Sequence, residues 1–122
     1  MIGRGEIYFV DLSPEQRFGT ERTGHMFVLV VSSDAINGQD RVVTVVPGTD
    51  ARNAPRDYAT NVRVSAKESG LPMDTVFLCF QVRSLDPSRF VDSHTGSSRI
   101  AGRMPPERMR EVEAALRLVL EL

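Results

Sequence analysis

Apolar residues in this chain gather in short runs of strand length separated by polar segments, and only the last stretch keeps a helical period. That pattern restricts the fold to a small, mainly β domain closed by one helix. Ile7, Tyr8, Phe9, Val10 and Leu12 form the first run, bounded by Gly5 and by Ser13-Pro14. Residues 13 to 24 turn polar and read as a functional loop, too irregular for an element and too long for a tight turn. Phe27 to Ser32 is a second run, and the turn chemistry of Asp34, Asn37, Gly38 and Asp40 leads to a third, Val42 to Val46. Pro47-Gly48 should end that third strand, because proline cannot donate to a ladder, leaving Thr49 just past a strand end.

Thr49 to Tyr58 is a charged loop, and Asn61-Val62-Arg63-Val64 alternates as a half-exposed strand. Ser65 to Gly70 carries the marks of one helical turn, with Ser65 as N-cap, Glu68 three residues on and Gly70 as the stop. Thr75 to Val82 is the longest apolar run and is expected to be the central strand, closed by Arg83 to Pro87. Residues 89 to 102 offer only weak fragments, Phe90-Val91 and Arg99-Ile100. Pro105-Pro106 then opens a helix in which Met109, Val112, Leu116, Val119 and Leu120 recur at helical spacing.

At 122 residues one domain is expected, spanning 1–122. A formal net charge of −1 excludes the uniformly basic field of a general nucleic-acid coat protein, so any nucleic-acid surface must be local. The one cysteine, Cys79, sits inside an apolar run, which excludes an internal disulfide and a Cys-rich zinc site and predicts a buried, inert thiol. No apolar stretch approaches the length that spans a bilayer, and the N-terminus leads into a strand rather than a signal peptide, so a cytoplasmic protein is expected.

Short strands joined by polar loops, with one terminal helix, fit an α+β fold built on a strongly bent antiparallel sheet or partly open barrel. Three blocks sharpen this. Arg4 to Pro14 resembles the opening R-G-[DE]-[IV]-[YW]-x-[VA]-[DN]-[LF]-x-P of the MazF/PemK family of ribonuclease toxins. Val45-Val46-Pro47-Gly48-Thr49 is similar to that family's V-P-x-T, and Gln81 to Asp86 to its Q-[VI]-[RK]-[ST]-[IL]-[DT]. Gly19-Thr20-Glu21-Arg22-Thr23-Gly24-His25-Met26-Phe27 resembles G-[ST]-E-Q-x-G-x-R-P, with Met26 and Phe27 where the family places its catalytic Arg and then Pro.

The resemblance implies an SH3-like barrel of the CcdB/MazF/PemK type with a C-terminal helix, acting as the toxin of a bacterial type II toxin–antitoxin pair. It implies sequence-selective cleavage of single-stranded RNA without metal or cofactor, a homodimer, and a cognate antitoxin that blocks the groove. Cleavage by attack of the ribose 2′-oxygen on its own phosphate needs a proton acceptor, a proton donor for the leaving oxygen, and positive donors on the added phosphorane charge. Thr49 takes the family's second catalytic place, with a turn-stabilising threonine as the plainer alternative. Glu21 fits a base or a loop-ordering carboxylate, and His25 an acid or base or a merely solvated imidazole. Met26 is neutral and cannot replace a guanidinium. Arg22 is the nearest substitute cation, with Arg52, Arg56 and Arg83 as others.

Arg17 and Phe18 form a basic–aromatic pair suited to stacking on an unpaired base, or to packing on the domain. Gln81, Arg83 and Arg52 are further RNA-contact candidates. The Met26 position also leaves open a binding module without nuclease activity, directed at RNA, an antitoxin or DNA gyrase. An adaptor for proline-rich peptides is disfavoured by the absence of Trp and the presence of only two Tyr.

Overall fold

A computed structural model describes residues 2–12, 24–39, 41–90 and 99–122. Among them seven strands form one antiparallel arrangement: β1 (Glu6–Leu12), β2 (Gly24–Val30), β3 (Val43–Asp50), β4 (Asn61–Val64), β5 (Thr75–Leu78), β6 (Arg83–Leu85) and β7 (Ile100–Arg103). Their order is β4-β5-β3-β2-β1-β7, with β6 also paired to β3. Three helices accompany them: α1 (Asp34–Asn37), α2 (Ala66–Ser69) and α3 (Pro106–Leu120). The expected bent antiparallel sheet with a C-terminal helix is the fold observed. No helix among the described residues is long and apolar enough to cross a membrane.

The sheet curls because both faces of its middle strands are buried. Side chains alternate along a strand, so Ile7 and Leu29 enter one cluster with Val46, Val62, Val64, Phe77 and Cys79, roofed by Val112 and Ala115 of α3. Their neighbours Tyr8, Val10, Met26, Val28 and Val30 enter a second cluster with Val43, Val45, Leu85 and Phe90. Tyr8 and Phe90 stack there with ring centroids 4.9 Å apart. Burial pushes the Cys79 thiol up to about 12, as expected for an inert core cysteine.

β4 and α2 match the sequence reading closely. Val62 and Val64 are buried with Arg63 exposed between them. Ser65 and Glu68 form a reciprocal capping box, and Gly70 adopts φ +81° at the helix stop. Four expectations are corrected. Pro47-Gly48 does not end the third strand: β3 runs on to Asp50, changing partner on the way. Pro47 stands opposite Val28 where the β2 ladder stops, and Gly48 pairs with Phe77 of β5. A Cβ on Gly48 would lie 2.8 Å from Thr75 Cγ2 and 2.9 Å from Phe77 Cε1, so the glycine serves a close strand approach, not a chain reversal.

The run from 75 to 82 is not one central strand. β5 stops at Leu78, a 3₁₀ turn covers Cys79–Gln81, and Arg83–Leu85 becomes β6. This corner lets β5 pair with Gly48 to Asp50 and β6 with Val43 to Val45 of the same strand β3. On α3, Ala115 rather than Leu120 takes the buried place, Leu120 being 51% exposed. Residues 34–37, read as turn, form one helical turn capped by Ser33.

β7 closes against α2 through Gly102, whose added Cβ would come within 2.5 Å of the Ser69 backbone oxygen. A carbonyl cannot yield as a flexible side chain does, so Gly102→Ala should lower stability by about 2 kcal/mol, within the range for overpacking a filled site. Urea unfolding checks this: the midpoint should fall with the slope unchanged, and an unshifted midpoint would mean that β7 moves aside freely.

Candidate active site

Thr49 lies inside β3, paired with Val76 and 7% exposed. It is therefore fixed by the sheet rather than standing beyond a strand end. Immediately after it the chain turns tightly. Asp50 Oδ1 accepts from the Arg52 backbone N–H at 2.9 Å, capping the 3₁₀ turn Ala51–Asn53. The Arg52 guanidinium returns to the same carboxylate, Nε to Oδ1 at 3.1 Å and Nη2 to Oδ2 at 2.8 Å. These hydrogen bonds from Arg52, side chain first and backbone second, hold the Asp50 carboxyl below its usual range. The turn brings Asn53 back over the strand, where Nδ2 donates to Thr49 Oγ1 at 3.4 Å.

Met26 is 4% exposed and packs in the second core cluster. It pairs with Val10 of β1. The β2–β3 register joins Val28 to Pro47, Leu29 to Val46 and Val30 to Val45; continued by two residues it would set Met26 opposite Thr49. Both positions singled out in the separate sequence blocks lie two residues beyond the last β2–β3 pair, Val28 with Pro47.

His25 is in β2, opposite Asp11. Arg17, Phe18, Glu21 and Arg22 lie outside the described residues, as does His94, for which the sequence suggests no role. Gln81 and Arg83 are both half-buried. They sit on different elements: Gln81 ends the 3₁₀ turn after β5, and Arg83 opens β6 opposite Val45. Arg56 is exposed in the loop before β4.

A shallow depression beside the turn is lined by Asp50, Ala51, Arg52, Arg63, Met73 and Asp74. Its two arginines face two aspartates. Arg63 also donates to the Ala54 carbonyl at 2.9 Å and to Asp57 Oδ1 at 3.3 Å. An anion entering here would have to exchange with carboxylates rather than meet a bare cationic cleft. Among the described residues no group of three His, Cys, Asp or Glu gathers in a way that could hold a metal ion.

Asn53 is the polar neighbour that sequence reasoning passed over as one residue of a charged loop. Its signal was local: an Asp two residues before an N–H it can accept from marks a turn of this kind, and the turn decides what Asn53 meets.

Residues 3–120 match the family described as PemK-like, MazF-like toxin of type II toxin-antitoxin system. Endoribonuclease EndoA of Bacillus subtilis (strain 168) is 32% identical over 122 residues, which is 100% of this chain and 97% of that protein. Endoribonuclease MazF of Staphylococcus epidermidis is 34% identical over 122 residues, 100% of this chain and 93% of that one. Among solved structures, MazF from Deinococcus radiodurans superposes with a TM-score of 0.73 at 24% identity, covering 99% of this chain and 97% of that one. An endoribonuclease from a mycobacterial species, solved in complex with its cognate antitoxin, gives 0.75 at 22% identity, covering 100% and 97%. At these identities the two structures speak to the fold.

Proposed function

The chain belongs to the family of PemK-like, MazF-like toxins of type II toxin–antitoxin systems, and from that premise we propose that it is an endoribonuclease acting on single-stranded RNA through Thr49. The 2′-oxygen gives up its proton and attacks the adjacent phosphorus; the bond from phosphorus to the 5′-oxygen breaks, and that oxygen takes up a proton. A cyclic phosphate and a free 5′-hydroxyl result. The Thr49 hydroxyl donates to a phosphate oxygen as charge builds on it. Glu21 and His25 serve the two proton transfers, and Arg22 supplies the cation that Met26 does not. Arg17, Phe18, Gln81, Arg83 and Arg52 line the path of the RNA strand.

The observation that carries this reading is the fixed position of Thr49 within β3, paired with Val76 of β5 and almost fully buried. A homodimer in the cytoplasm, silenced by a cognate antitoxin, completes the reading; the antitoxin part is supported by the complex of a structurally similar endoribonuclease with its cognate antitoxin. The test is a time course on a long unstructured RNA in excess EDTA, with mapping of the ends formed. Cyclic-phosphate and 5′-hydroxyl ends at one short recurring sequence are the expected result. Intact RNA after prolonged incubation would overturn it.

One observation favours a second reading. Met26 is a filled core position rather than an empty cationic one, which suits a binding module that has lost cleavage; RNA retained on the protein but never cut would be its sign.

A further inference from the structure

The hydroxyl of Thr49 has one proton to give and two lone pairs that can accept. Which of these faces a bound phosphate decides whether the residue attracts or repels it. Asn53 bears on that choice. Its amide donates into one lone pair of Oγ1 at 3.4 Å, so the hydroxyl proton cannot point at Asn53 and is left for another acceptor. Asn53 reaches this place through a frame built by its neighbours. Asp50 caps the turn and Arg52 clamps Asp50. The Ala51 N–H donates to the Asp74 carbonyl at 2.8 Å, and the Ala54 N–H to the Ala51 carbonyl at 3.1 Å. The residues after Thr49 are thereby folded back on it and tied to the segment that leads into β5.

We propose that Asn53 is a positioning residue that holds the Thr49 hydroxyl as a hydrogen-bond donor toward the RNA phosphate, with the Asp50–Arg52 pair as the frame that places it; this rests on the nuclease reading above. Arg52 on this account serves the frame before it serves the RNA. The role differs from general turn stabilisation in a way that chemistry can expose. An amide donates, whereas an ionised carboxylate of nearly the same shape only accepts. In Asn53→Asp the carboxylate would capture the hydroxyl proton and turn the lone pairs of Oγ1 toward the phosphate. Protonating that carboxyl would restore a donor.

The experiment is steady-state cleavage of a short RNA between about pH 4 and 8 by the parent chain, Asn53→Ala and Asn53→Asp, each normalised to the parent at the same pH. Asn53→Ala should lose about two- to tenfold in kcat with KM unchanged, the kinetic equivalent of one neutral hydrogen bond. Asn53→Asp should fall below the alanine variant at neutral pH and recover toward it as the pH approaches the carboxyl titration near about 4. A new negative charge that merely repels RNA would raise KM instead. Without RNA, the NMR shift of the Thr49 methyl group should titrate with the carboxyl in Asn53→Asp.

Equal kcat for all three proteins, a pH-independent ratio, or a Thr49 methyl group that ignores the titration would each overturn the positioning role. A parent chain that cuts nothing removes the nuclease reading, and this inference with it. That outcome is distinct from a parent that cuts and variants that match it.

Discussion

Thr49→Val should lower the rate of RNA cleavage by about 100- to 1,000-fold, the usual consequence of removing one preorganised donor from a developing oxyanion, while the melting temperature moves by less than about 3 °C. Valine keeps the β-branched shape that suits a buried position in β3, where Thr49 is 7% exposed and pairs with Val76. Only the hydroxyl is lost. Its partner Asn53 is exposed, so the released amide finds water and little stability goes with it. If the hydroxyl donates chiefly in the transition state, kcat and kcat/KM fall together and RNA affinity is kept. Cleavage undiminished in a folded Thr49→Val would remove Thr49 from the chemistry and leave it a packing residue.

The same residue shows what a sequence of this kind discloses and what it hides. Local signals were readable because each depends on residues a few places apart: Ser65, Glu68 and Gly70 specify α2 by themselves, and the alternation over 61–64 reports one buried face. Pro47-Gly48 misled because both residues report a local conformation, whereas their meaning lies in what crosses them. Thr75 and Phe77 press on Gly48 from a strand distant in the chain. The corner at Cys79–Gln81 was hidden for a related reason: with β5 buried on both faces, an unbroken apolar run carries no period that marks where the strand bends.

Family blocks likewise mix chemistry with architecture. Arg4-Gly5-Glu6 is a structural staple. The Arg4 backbone N–H donates to Asp34, and its guanidinium donates to the Val31 carbonyl and to Glu113 on α3. Gly5 adopts φ +90° and bonds both Val30 and Met104. Glu6 is buried and accepts from the Gly3 N–H at 2.5 Å and the Tyr8 hydroxyl at 2.9 Å, with Arg103 at 3.2 Å completing its charge balance. Burial of the Tyr8 side chain itself, and then its hydrogen bond to Glu6, push the phenol up to about 12. The match in this block speaks to how the sheet is tied to its helices. On the nuclease reading proposed above, the match at Thr49 is the one that speaks to function.

Met26→Arg is the second decisive substitution, and the structure makes its outcome two-sided. Counting by twos from Val28 and Val30 places residue 26 on the face of the second cluster, whose members include Tyr8, Val10 and Phe90. A guanidinium held there unpaired would be costly, so the variant should lose about 2–4 kcal/mol and melt about 10 °C lower. Yet residue 26 lies two residues beyond the last β2–β3 pair, Val28 with Pro47, while β3 itself runs on through Thr49 to Asp50. An arginine stem can stay in the apolar layer while its head reaches out past the ladder. There, on the proposed nuclease reading, it would add a fixed cation toward the phosphate bound at Thr49. Cleavage per folded molecule should therefore rise by about 100-fold even as stability falls, the inverse of losing one oxyanion donor. Single-turnover kinetics and a melting curve on the same preparation decide it. A variant that melts with the parent and cuts no faster would mean that position 26 no longer faces the chemistry, so that a cation elsewhere in this chain, with Arg22 the nearest in sequence, carries the charge.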